Sequence, residues 1–400
     1  MTTVNDAIEI IRRYALSLGV ERIPIQESFN RILAEDITAD RNYPPFNRAT
    51  MDGYALCFDD YENNKDIPFH IQGAIFAGDN ADLSISEKSC VKIMTGASVP
   101  EGADLVIKVE DTENINDKVK FKKIQAKKWM NIALKGEDIK NGEVLITKGS
   151  RINHIVLSML ATVGKVNVPV FQTPKTAVIS TGSEIIDPIE KPEPFQIRDS
   201  NSFALLGLLN EFGISPFFSA RTDDKETEIR TTIEKALDTC DIIFISGGVS
   251  MGEKDLTPDI LKSLGVKEIF HKVKIKPGKP VWFGLTQENK IVFGMPGNPF
   301  SCQVIFKILV EPLIRASFQM NPQKWFKFPM AAERTKKGDR DEYFTAGINT
   351  SNGSKITATA NKGSGDIKAA RDSDGLALHK ADIPELKEND IVDFIFWRNA

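Results

Sequence analysis

The chain has 400 residues, 41% of them hydrophobic, which is more than one hydrophobic core usually organises and predicts about two to four globular domains. Its formal net charge of −4 is small, so nothing global attracts nucleic acid or a membrane surface, and we expect neither as a partner. Cys57, Cys90, Cys240 and Cys302 form no CxxC pair and the histidines no HxxxH pair, which argues against a structural zinc site.

The first predicted element is an amphipathic helix over residues 4–18, followed by Gly19 where a helix would stop. Charges interrupt its apolar positions and no cleavage site follows, so the segment does not have the pattern of a secretory signal peptide. No apolar run approaches the roughly 18 residues of a transmembrane helix. We therefore expect a cytoplasmic protein whose thiols are reduced.

From about Pro44 to Asp138 short β-like runs alternate with Gly, Pro and Asp turns, which predicts a small β-rich unit. Residues 151–164 return to the 3.6-residue period and end in glycine, so they predict a helix. The helices on both sides of the β-rich unit could belong to one domain, from which that unit is an excursion.

From Lys175 to about Ala316 predicted strands and helices alternate, a rhythm typical of a parallel sheet covered by helices on both faces. The helix over residues 225–238 carries one buried apolar stripe. A last helix, over about residues 301–318, is expected to bend or end at Pro312. After Pro322 the pattern becomes β again, which predicts a separate C-terminal β unit.

Polar and glycine-rich turns follow the predicted strands of the α/β segment. In an open parallel sheet, ligands gather at the carboxyl ends of the strands, so these turns should converge on one edge. Successive glycines let the main chain approach a ligand, while Lys276, Lys279 and Asp255 supply charges suited to a phosphorylated substrate with its metal. The converging turns contain Thr181, Gly182, Ser183 and Glu184; Thr222, Asp223 and Asp224; Ser246, Gly247 and Gly248; and Pro296, Gly297 and Asn298.

Without a Cys/His cluster, a bound metal would be held by oxygen ligands. Glu184, Asp223 and Asp255, together with substrate phosphates, are the predicted ligands. A donor set of this kind favours Mg²⁺ over a softer ion.

Each of these signals also has a structural interpretation when taken alone. The turn containing Glu184 is typical of a helix cap, and Asp199 precedes a helical run as capping residues do. Lys276 and Lys279 flank a Pro-Gly turn, where lysines are often merely solvated. Upstream, Asp52 with Gly53 is typical of a hairpin turn, as is Thr95 with Gly96. The predicted convergence on one edge favours the functional interpretation.

Seven motifs occur in the order MDGYA, IMTGASVPEGAD, STGSEI, RDSN, ISGGVSMGEKD, KIKPGKP and GMPGNPFS. Together they resemble the MoeA family of molybdopterin molybdenumtransferases and its eukaryotic relative, the gephyrin E domain. The resemblance implies a multidomain α/β fold and a homodimer with active sites shared between subunits. The implied domains are a discontinuous helical and β domain (1–43 and 139–172), an inserted β-rich lasso domain (44–138), a three-layer α/β domain with a parallel-type sheet (173–320) and a C-terminal β-barrel (321–400).

The implied reaction takes adenylylated molybdopterin and molybdate, uses Mg²⁺, inserts molybdenum at the dithiolene and releases AMP. The positions that match catalytic ones are Asp52, Thr95, Glu184, Asp223, Asp255, Lys272, Lys276 and Lys279. The positions implied to bind the pterin, the nucleotide or an anion are Asp138, Thr181, Gly182, Ser183, Asp199, Ser246, Gly247, Gly248, Ser250, Pro296, Gly297, Asn298, Pro299, Arg340 and Ser364.

The chain departs from the family pattern at two places. Ala49 and Thr50 stand before MDGYA, where Ser-Ala is more common. Thr345 and Ala346 stand near the position of a second arginine that the family commonly carries after Arg340.

The implied partners follow from what the chain lacks. Nothing resembling a fused adenylyltransferase precedes Met1, so we expect a separate adenylyltransferase to supply the substrate. Apo-molybdoenzymes or their chaperones would receive the product. Two alternatives stay open: the α/β segment could itself adenylylate molybdopterin, or the chain could be a non-catalytic scaffold of gephyrin type. Intact Glu184, Asp255 and the paired lysines favour the transferase.

Overall fold

The computed structural model describes residues 1–80, 82–248, 256–350, 353–360 and 363–398. The chain forms two compact units. The major unit comprises Met1–Glu35, Lys148–Leu157 and Asn167–Ala400, and the minor unit comprises Asp36–Thr147 and Ser158–Val166. Within the described ranges, no helix is both long and apolar enough to cross a membrane.

The N-terminal segment of the major unit begins with α1 (Val4–Arg12), whose N-terminus is capped by the Thr3 hydroxyl accepting the Asp6 N–H at 3.2 Å. Val4, Ala7 and Ile11 are buried, as the apolar pattern predicts. The helix ends earlier than residue 18: the N–H groups of residues 13–15 bond three residues back, and the Leu16 N–H donates to the Ser317 hydroxyl at 2.9 Å. β1 (Val20–Pro24) follows.

The minor unit contains the short strands predicted between Pro44 and Asp138. Six of its strands form one sheet in the order β7-β4-β6-β5-β9-β8. Separate apolar clusters cover its two faces, one around Val91 and one around Phe69. The elements are β2 (Ile37–Thr38), β3 (Arg48–Ala49), β4 (Gly53–Leu56), α2 (Phe58–Asn63), β5 (Phe69–Ile75), β6 (Ser89–Ile93), β7 (Leu105–Lys108), β8 (Thr112–Ile115), β9 (Lys118–Phe121), β10 (Ile132–Ala133) and β11 (Val144–Ile146).

The chain continues with α3 (His154–Thr162) and β12 (Asn167–Phe171). β12 pairs antiparallel with β1, with Val20 opposite Phe171. The segments before β2 and after α3 therefore join in one small sheet, and the predicted inserted domain stays a prediction.

A six-stranded sheet forms the centre of the major unit, in the order β16-β13-β17-β21-β20-β18. The first four strands are parallel, whereas β20 pairs antiparallel with both of its neighbours, β21 and β18, so the predicted parallel sheet is mixed at one edge. The elements are β13 (Thr176–Thr181), β14 (Ile185–Ile186), β15 (Ile197–Arg198), α4 (Asn201–Asn210), β16 (Phe218–Thr222), α5 (Glu226–Thr239), β17 (Ile242–Ser246), α6 (Thr257–Ser263), β18 (Lys267–His271), β19 (Ile275–Lys276), β20 (Trp282–Leu285) and β21 (Ile291–Met295).

Helices cover both faces of this sheet, because alternate residues of its buried strands point in opposite directions. On β17, Phe244 packs into the cluster that contains α4, whereas Ile243 and Ile245 pack into the cluster that contains α5 and α6. On α5, Ile229 and Ile233 belong to that second cluster, as the predicted stripe requires.

The last helical segment of the α/β region consists of α7 (Pro299–Ile305), a π-helical turn (Phe306–Val310) and α8 (Glu311–Ser317). The expected interruption at Pro312 is displaced toward the N-terminus. Pro312 lies in the first turn of α8, where the missing N–H costs nothing, and the irregularity is taken up by the preceding π turn.

The C-terminal segment forms a sheet in the order β19-β24-β26-β28-β22, with β25 also paired to β24. The short β19, from the α/β region, joins this sheet parallel to β24. The predicted barrel and lasso, and the boundaries of four domains, stay predictions. The elements are β22 (Phe326–Pro329), β23 (Arg334–Thr335), β24 (Asp341–Asn349), β25 (Lys355–Ala358), α9 (Ile367–Arg371), β26 (Gly375–His379), β27 (Glu385–Leu386) and β28 (Ile391–Phe396).

Candidate active site

A cavity of about 940 Å³ lies within the major unit, at the carboxyl ends of the parallel strands. Loops after β13, β16, β17 and β21 all contribute to its lining, so the expected convergence on one edge is present. The residues predicted from sequence that line it are Thr181, Gly182, Glu184, Asp224, Gly247, Gly248, Lys276, Lys279, Pro296, Gly297, Asn298, Arg340 and Ser364.

Two predicted carboxylates are placed differently from the expectation. The Asp223 carboxylate pairs with Lys225 at 3.2 Å, and its neighbour Asp224 lines the cavity instead. Asp199 Oδ1 accepts the Ser202 N–H at 3.0 Å, which is the capping role that its position before α4 also indicated. Neither Asp223 nor Asp199 lines the cavity.

Four further predicted residues do not line the cavity. The Ser183 N–H donates to Asp224 Oδ2 at 3.3 Å, and the Asp224 N–H donates to Ser183 Oγ at 3.1 Å. These two bonds hold the turn that carries Asp224. Ser246, the last residue of β17, is buried, and Pro299 is the first residue of α7. The Lys272 N–H donates to the Val281 carbonyl. The predicted Ser250 and Asp255 fall outside the described residues.

The turn after β17 requires glycine at two positions. Gly247 has φ +93°, and a Cβ there would stand 2.3 Å from the Thr181 carbonyl oxygen. Gly248 has φ +62°, and its Cβ would stand 2.8 Å from Thr257 Oγ1. The backbone of this turn packs so closely against Thr181, at the end of β13, and Thr257, in α6, that neither position has room for a side chain.

Asn201, the first residue of α4, joins two of the converging segments and was not predicted as a site residue, although it stands in the RDSN motif. Its buried Nδ2 donates to Ser246 Oγ at 3.0 Å and to the Gly297 carbonyl at 2.8 Å. Nearby, Thr181 Oγ1 and Asn201 Oδ1 are buried with no hydrogen-bond partner in the part of the chain that the structure describes. The strand ends thus retain polar groups that a ligand or water could satisfy.

One wall of the cavity is basic, and two of its charged residues were missed by the sequence interpretation. Lys276 Nζ lies 3.2 Å from Glu342 Oε2, and Arg334 Nη2 donates to Glu342 Oε1 at 2.7 Å. Burial alone would raise the pKa of Glu342, but Arg334 and then Lys276 outweigh it and hold that pKa below its ordinary value. Glu342 is therefore a carboxylate between two cations.

The C-terminal segment also reaches the loop after β21. Asn298 Nδ2 donates to Ser364 Oγ at 2.9 Å, and Arg340 Nη1 donates to the Ile275 carbonyl at 3.3 Å. Among the described residues, four cationic side chains line the cavity, against three carboxylates. The cations are Lys276, Lys279, Arg334 and Arg340, and the carboxylates are Glu184, Asp224 and Glu342.

In the minor unit, the two predicted residues Asp52 and Thr95 are in direct contact. Asp52 Oδ1 accepts the Thr95 N–H at 2.7 Å and the Thr95 hydroxyl at 2.8 Å. The backbone bond and then the side-chain bond lower the pKa of Asp52. The motifs MDGYA and MTG are thus joined by direct contact, and the predicted Asp138 is exposed in the same unit, where its N–H donates to the Tyr43 carbonyl.

Within the described ranges, the cavity included, no group of three or more His, Cys, Asp or Glu side chains could hold a metal ion by itself. The cavity instead offers oxygen donors, Glu184 and Asp224, beside polar strand ends. Oxygen donors completed by phosphate oxygens are the chemistry that Mg²⁺ prefers.

Comparison with known proteins connects these features to a family. Residues 2–164 match the family model of the MoeA N-terminal region, domains I and II, and residues 177–316 match that of a probable molybdopterin binding domain. A molybdopterin molybdenumtransferase of Staphylococcus epidermidis is 35% identical over 316 residues, which is 78% of this chain and 75% of the relative. The chain belongs to the MoeA family.

Two further relatives support this assignment. The molybdopterin molybdenumtransferase of Bacillus subtilis is 33% identical over 78% of this chain and 74% of its own. A crystal structure of a MoeA protein from Pyrococcus horikoshii is 32% identical and superposes with a TM-score of 0.77, covering 100% of both chains. The chain is thus a molybdopterin molybdenumtransferase-type enzyme of molybdenum-cofactor biosynthesis, which confirms the resemblance of its motifs.

Proposed function

We propose that this MoeA enzyme inserts molybdenum from molybdate into adenylylated molybdopterin and releases AMP at the cavity of the major unit. The observation that carries the proposal is the convergence of the strand-end loops and the basic wall on one cavity. Because the glycine turns carry no side chains, a phosphate or pterin can approach their backbone closely. Lys276 and Lys279 supply positive charge that attracts an oxyanion.

In this proposal the residues of the chain bind, orient and move protons. The Glu184 carboxylate lines the cavity and is exposed, so it orients the water that attacks the phosphate bond and accepts its proton. Lys276 and Lys279 hold the tetrahedral molybdate and offset charge on the departing AMP. Ser364 and Arg340 add donors at the C-terminal end of the cavity.

Mg²⁺ fits the oxygen donors of the cavity. Glu184 would hold it with substrate phosphates, and the predicted ligands Asp223 and Asp255 stay part of this proposal, with Asp224 as the neighbouring carboxylate that lines the cavity. Bound there, the ion would neutralise phosphate charge. The cytoplasmic location and the supplying and receiving partner proteins also remain as predicted from the sequence.

The test is reconstitution with purified protein, adenylylated molybdopterin, Mg²⁺ and molybdate. We expect release of AMP and activation of an added apo-molybdoenzyme, and loss of both in Glu184→Gln. Parallel reactions with molybdopterin and ATP check the adenylyltransferase alternative. Adenylylated product in those reactions, with no AMP release in the first, would replace the proposal, and inactivity in every reaction would favour a scaffold.

We further propose that Asp52, Thr95 and Asp138 complete the active site of a partner subunit in a homodimer. The support is the polar Asp52–Thr95 pair, which is exposed in the minor unit and matches the family's motif. Inactive Asp52→Ala and Glu184→Ala proteins would be mixed and allowed to exchange subunits. Recovery of about a quarter of wild-type activity is expected, because half of the dimers are mixed and each contains one intact site of two. No recovery would contradict a shared site.

A further inference from the structure

Three polar side chains form a row across the C-terminal sheet beside the cavity. In the register of the sheet, Lys276 on β19 is opposite Glu342 on β24, and Glu342 is opposite His379 on β26. Side chains at paired positions of neighbouring strands stand on the same face of the sheet. Strand pairing therefore brings together residues that are remote in sequence.

The row is graded from buried to exposed. His379 is buried, the Glu342 side chain is 12% exposed, and the Lys276 side chain is 44% exposed. Glu342 uses both carboxylate oxygens, one for Arg334 at 2.7 Å and the other for Lys276 at 3.2 Å. Lys276 is thus the most exposed member of the row, and its ammonium is held by Glu342, which Arg334 holds in turn.

Arg334 is fixed from two further directions. Its Nη1 donates to His379 Nδ1 at 2.7 Å, so that nitrogen accepts and the ring proton lies on Nε2. Its guanidinium lies 4.0 Å from the centroid of the Phe344 ring. Arg334 consequently holds one oxygen of Glu342 in place and leaves the other oxygen directed at Lys276.

We propose that Glu342 is a positioning residue that aims the Lys276 ammonium into the cavity, with Arg334 and His379 as its support. A lysine stem has four rotatable bonds, and an exposed one samples many rotamers unless a partner selects one. The proposal rests on the proposed function, because it takes Lys276 as a contact for the molybdate oxyanion. Glu342 itself acts through Lys276.

Charge and positioning predict opposite signs when Glu342 is neutralised. A carboxylate on the wall of an anion site repels the anion, so its removal strengthens binding if net charge alone matters. If the carboxylate aims Lys276, its removal weakens binding even though the site becomes more positive. Molybdate affinity therefore separates the two effects without requiring turnover.

The experiment measures molybdate binding to the full chain by equilibrium dialysis. We expect about a tenfold loss of affinity in Lys276→Met and a three- to tenfold loss in Glu342→Gln, in the range of a charge-assisted hydrogen bond. The double variant should bind no worse than Lys276→Met, because Glu342 acts only through that lysine. Glu385→Gln, an exposed position of β27, makes the same change of net charge and should bind as wild type.

Unchanged or tighter binding by Glu342→Gln, or losses that multiply in the double variant, would overturn the inference. Glu342→Asp covers the case in which Glu342→Gln fails to fold, since it keeps a negative charge beside Arg334 but shortens the side chain that reaches Lys276. It should also weaken binding, and wild-type affinity in it would count against positioning. If Lys276→Met binds molybdate normally, the proposed role of the basic wall fails and the inference fails with it, whereas normal binding by Glu342→Gln or Glu342→Asp alone removes only the inference.

Discussion

Two clusters in the major unit have the same composition and opposite surroundings. In each, a carboxylate lies between a lysine and an arginine. Glu311 lies 2.9 Å from Lys307 and 2.7 Å from Arg315, with its side chain 2% exposed. Glu342 lies between Lys276 and Arg334 on the wall of the cavity. The first cluster is sealed among the helices, and the second opens toward a ligand.

The difference lies in what surrounds the lysine. Lys307 also donates to the Trp397 carbonyl at 3.1 Å, so its ammonium is satisfied by the protein. The contacts of Lys276 leave its ammonium on the cavity side. Burial would raise the pKa of Glu311, yet Lys307 and Arg315 outweigh it and hold that pKa below its ordinary value. The same ion triad can therefore stabilise the fold or present a cation, depending on enclosure.

The largest expected effect is on the sealed cluster. Glu311→Gln leaves a buried lysine without its carboxylate, and we expect a loss of about 3–5 kcal/mol in the free energy of unfolding. Denaturant unfolding at neutral pH measures it. Molybdate affinity of the folded fraction should not change. The matched control is Glu226→Gln, which removes an exposed partner of Arg230 on α5 and should cost less than about 0.5 kcal/mol.

The pH dependence gives the sign of the same effect. Because the pKa of Glu311 is lowered in the folded state, its contribution is complete above the unfolded pKa of about 4.3 and is lost as pH falls through the folded value. The stability difference between wild type and Glu311→Gln should shrink in acid. A difference that stays constant from pH 7 to about pH 3 would contradict this account.

The open cluster should show the reverse pattern. Lys276→Met removes a partly exposed ammonium while Glu342 keeps Arg334, so we expect a change of less than about 1 kcal/mol in unfolding free energy. The binding loss predicted above would then occur at nearly full stability. A large loss of stability would show that this cluster, too, is mainly structural.

A smaller effect is expected at Lys279. This exposed lysine lines the cavity, but no carboxylate within the described residues holds it as Glu342 holds Lys276. We expect Lys279→Met to weaken molybdate binding about two- to fivefold, in the range of an exposed charge contact. Equilibrium dialysis beside Lys276→Met makes the comparison. An equal or larger loss of molybdate affinity in Lys279→Met would contradict the expectation that a lysine held by a carboxylate binds molybdate more strongly than one without such a partner.

The smallest effect concerns Asp52, which pairs with no cation within the described residues. Hydrogen bonds from Thr95 stabilise its carboxylate, the backbone one being the larger cause. Thr95→Val removes only the hydroxyl, so the pKa of Asp52 should rise but stay below its ordinary value. Carboxyl-carbon NMR titration measures it. A return to the ordinary value would assign the whole effect to the hydroxyl.

The convergence of the cavity loops could be predicted because parallel strands fix where their ends lie. Glu184, Gly247 and Asn298 line one cavity for that reason. Side-chain direction within a turn has no such regularity. The sequence predicted Asp223 as a metal ligand, but its neighbour Asp224 lines the cavity. Asp199 fitted both a capping role and a ligand-binding role, and its hydrogen bond from the Ser202 N–H shows the capping role.

The support of Lys276 could not be predicted from local sequence. Glu342 and His379 become its neighbours only through the pairing of β19, β24 and β26, and strand register between remote segments leaves no local signal. The π turn before α8 was missed similarly, because Pro312 marked an interruption without fixing its position.

The two-residue strand β19 has a consequence for how such enzymes can be rebuilt. By chain position Lys276 belongs to the α/β region, but its backbone is hydrogen-bonded into the C-terminal sheet. Exchanging that sheet for one from a relative would therefore transplant part of the anion contact as well. Chimaeras of this family should be cut so that residues 275–276 and their host sheet come from the same parent.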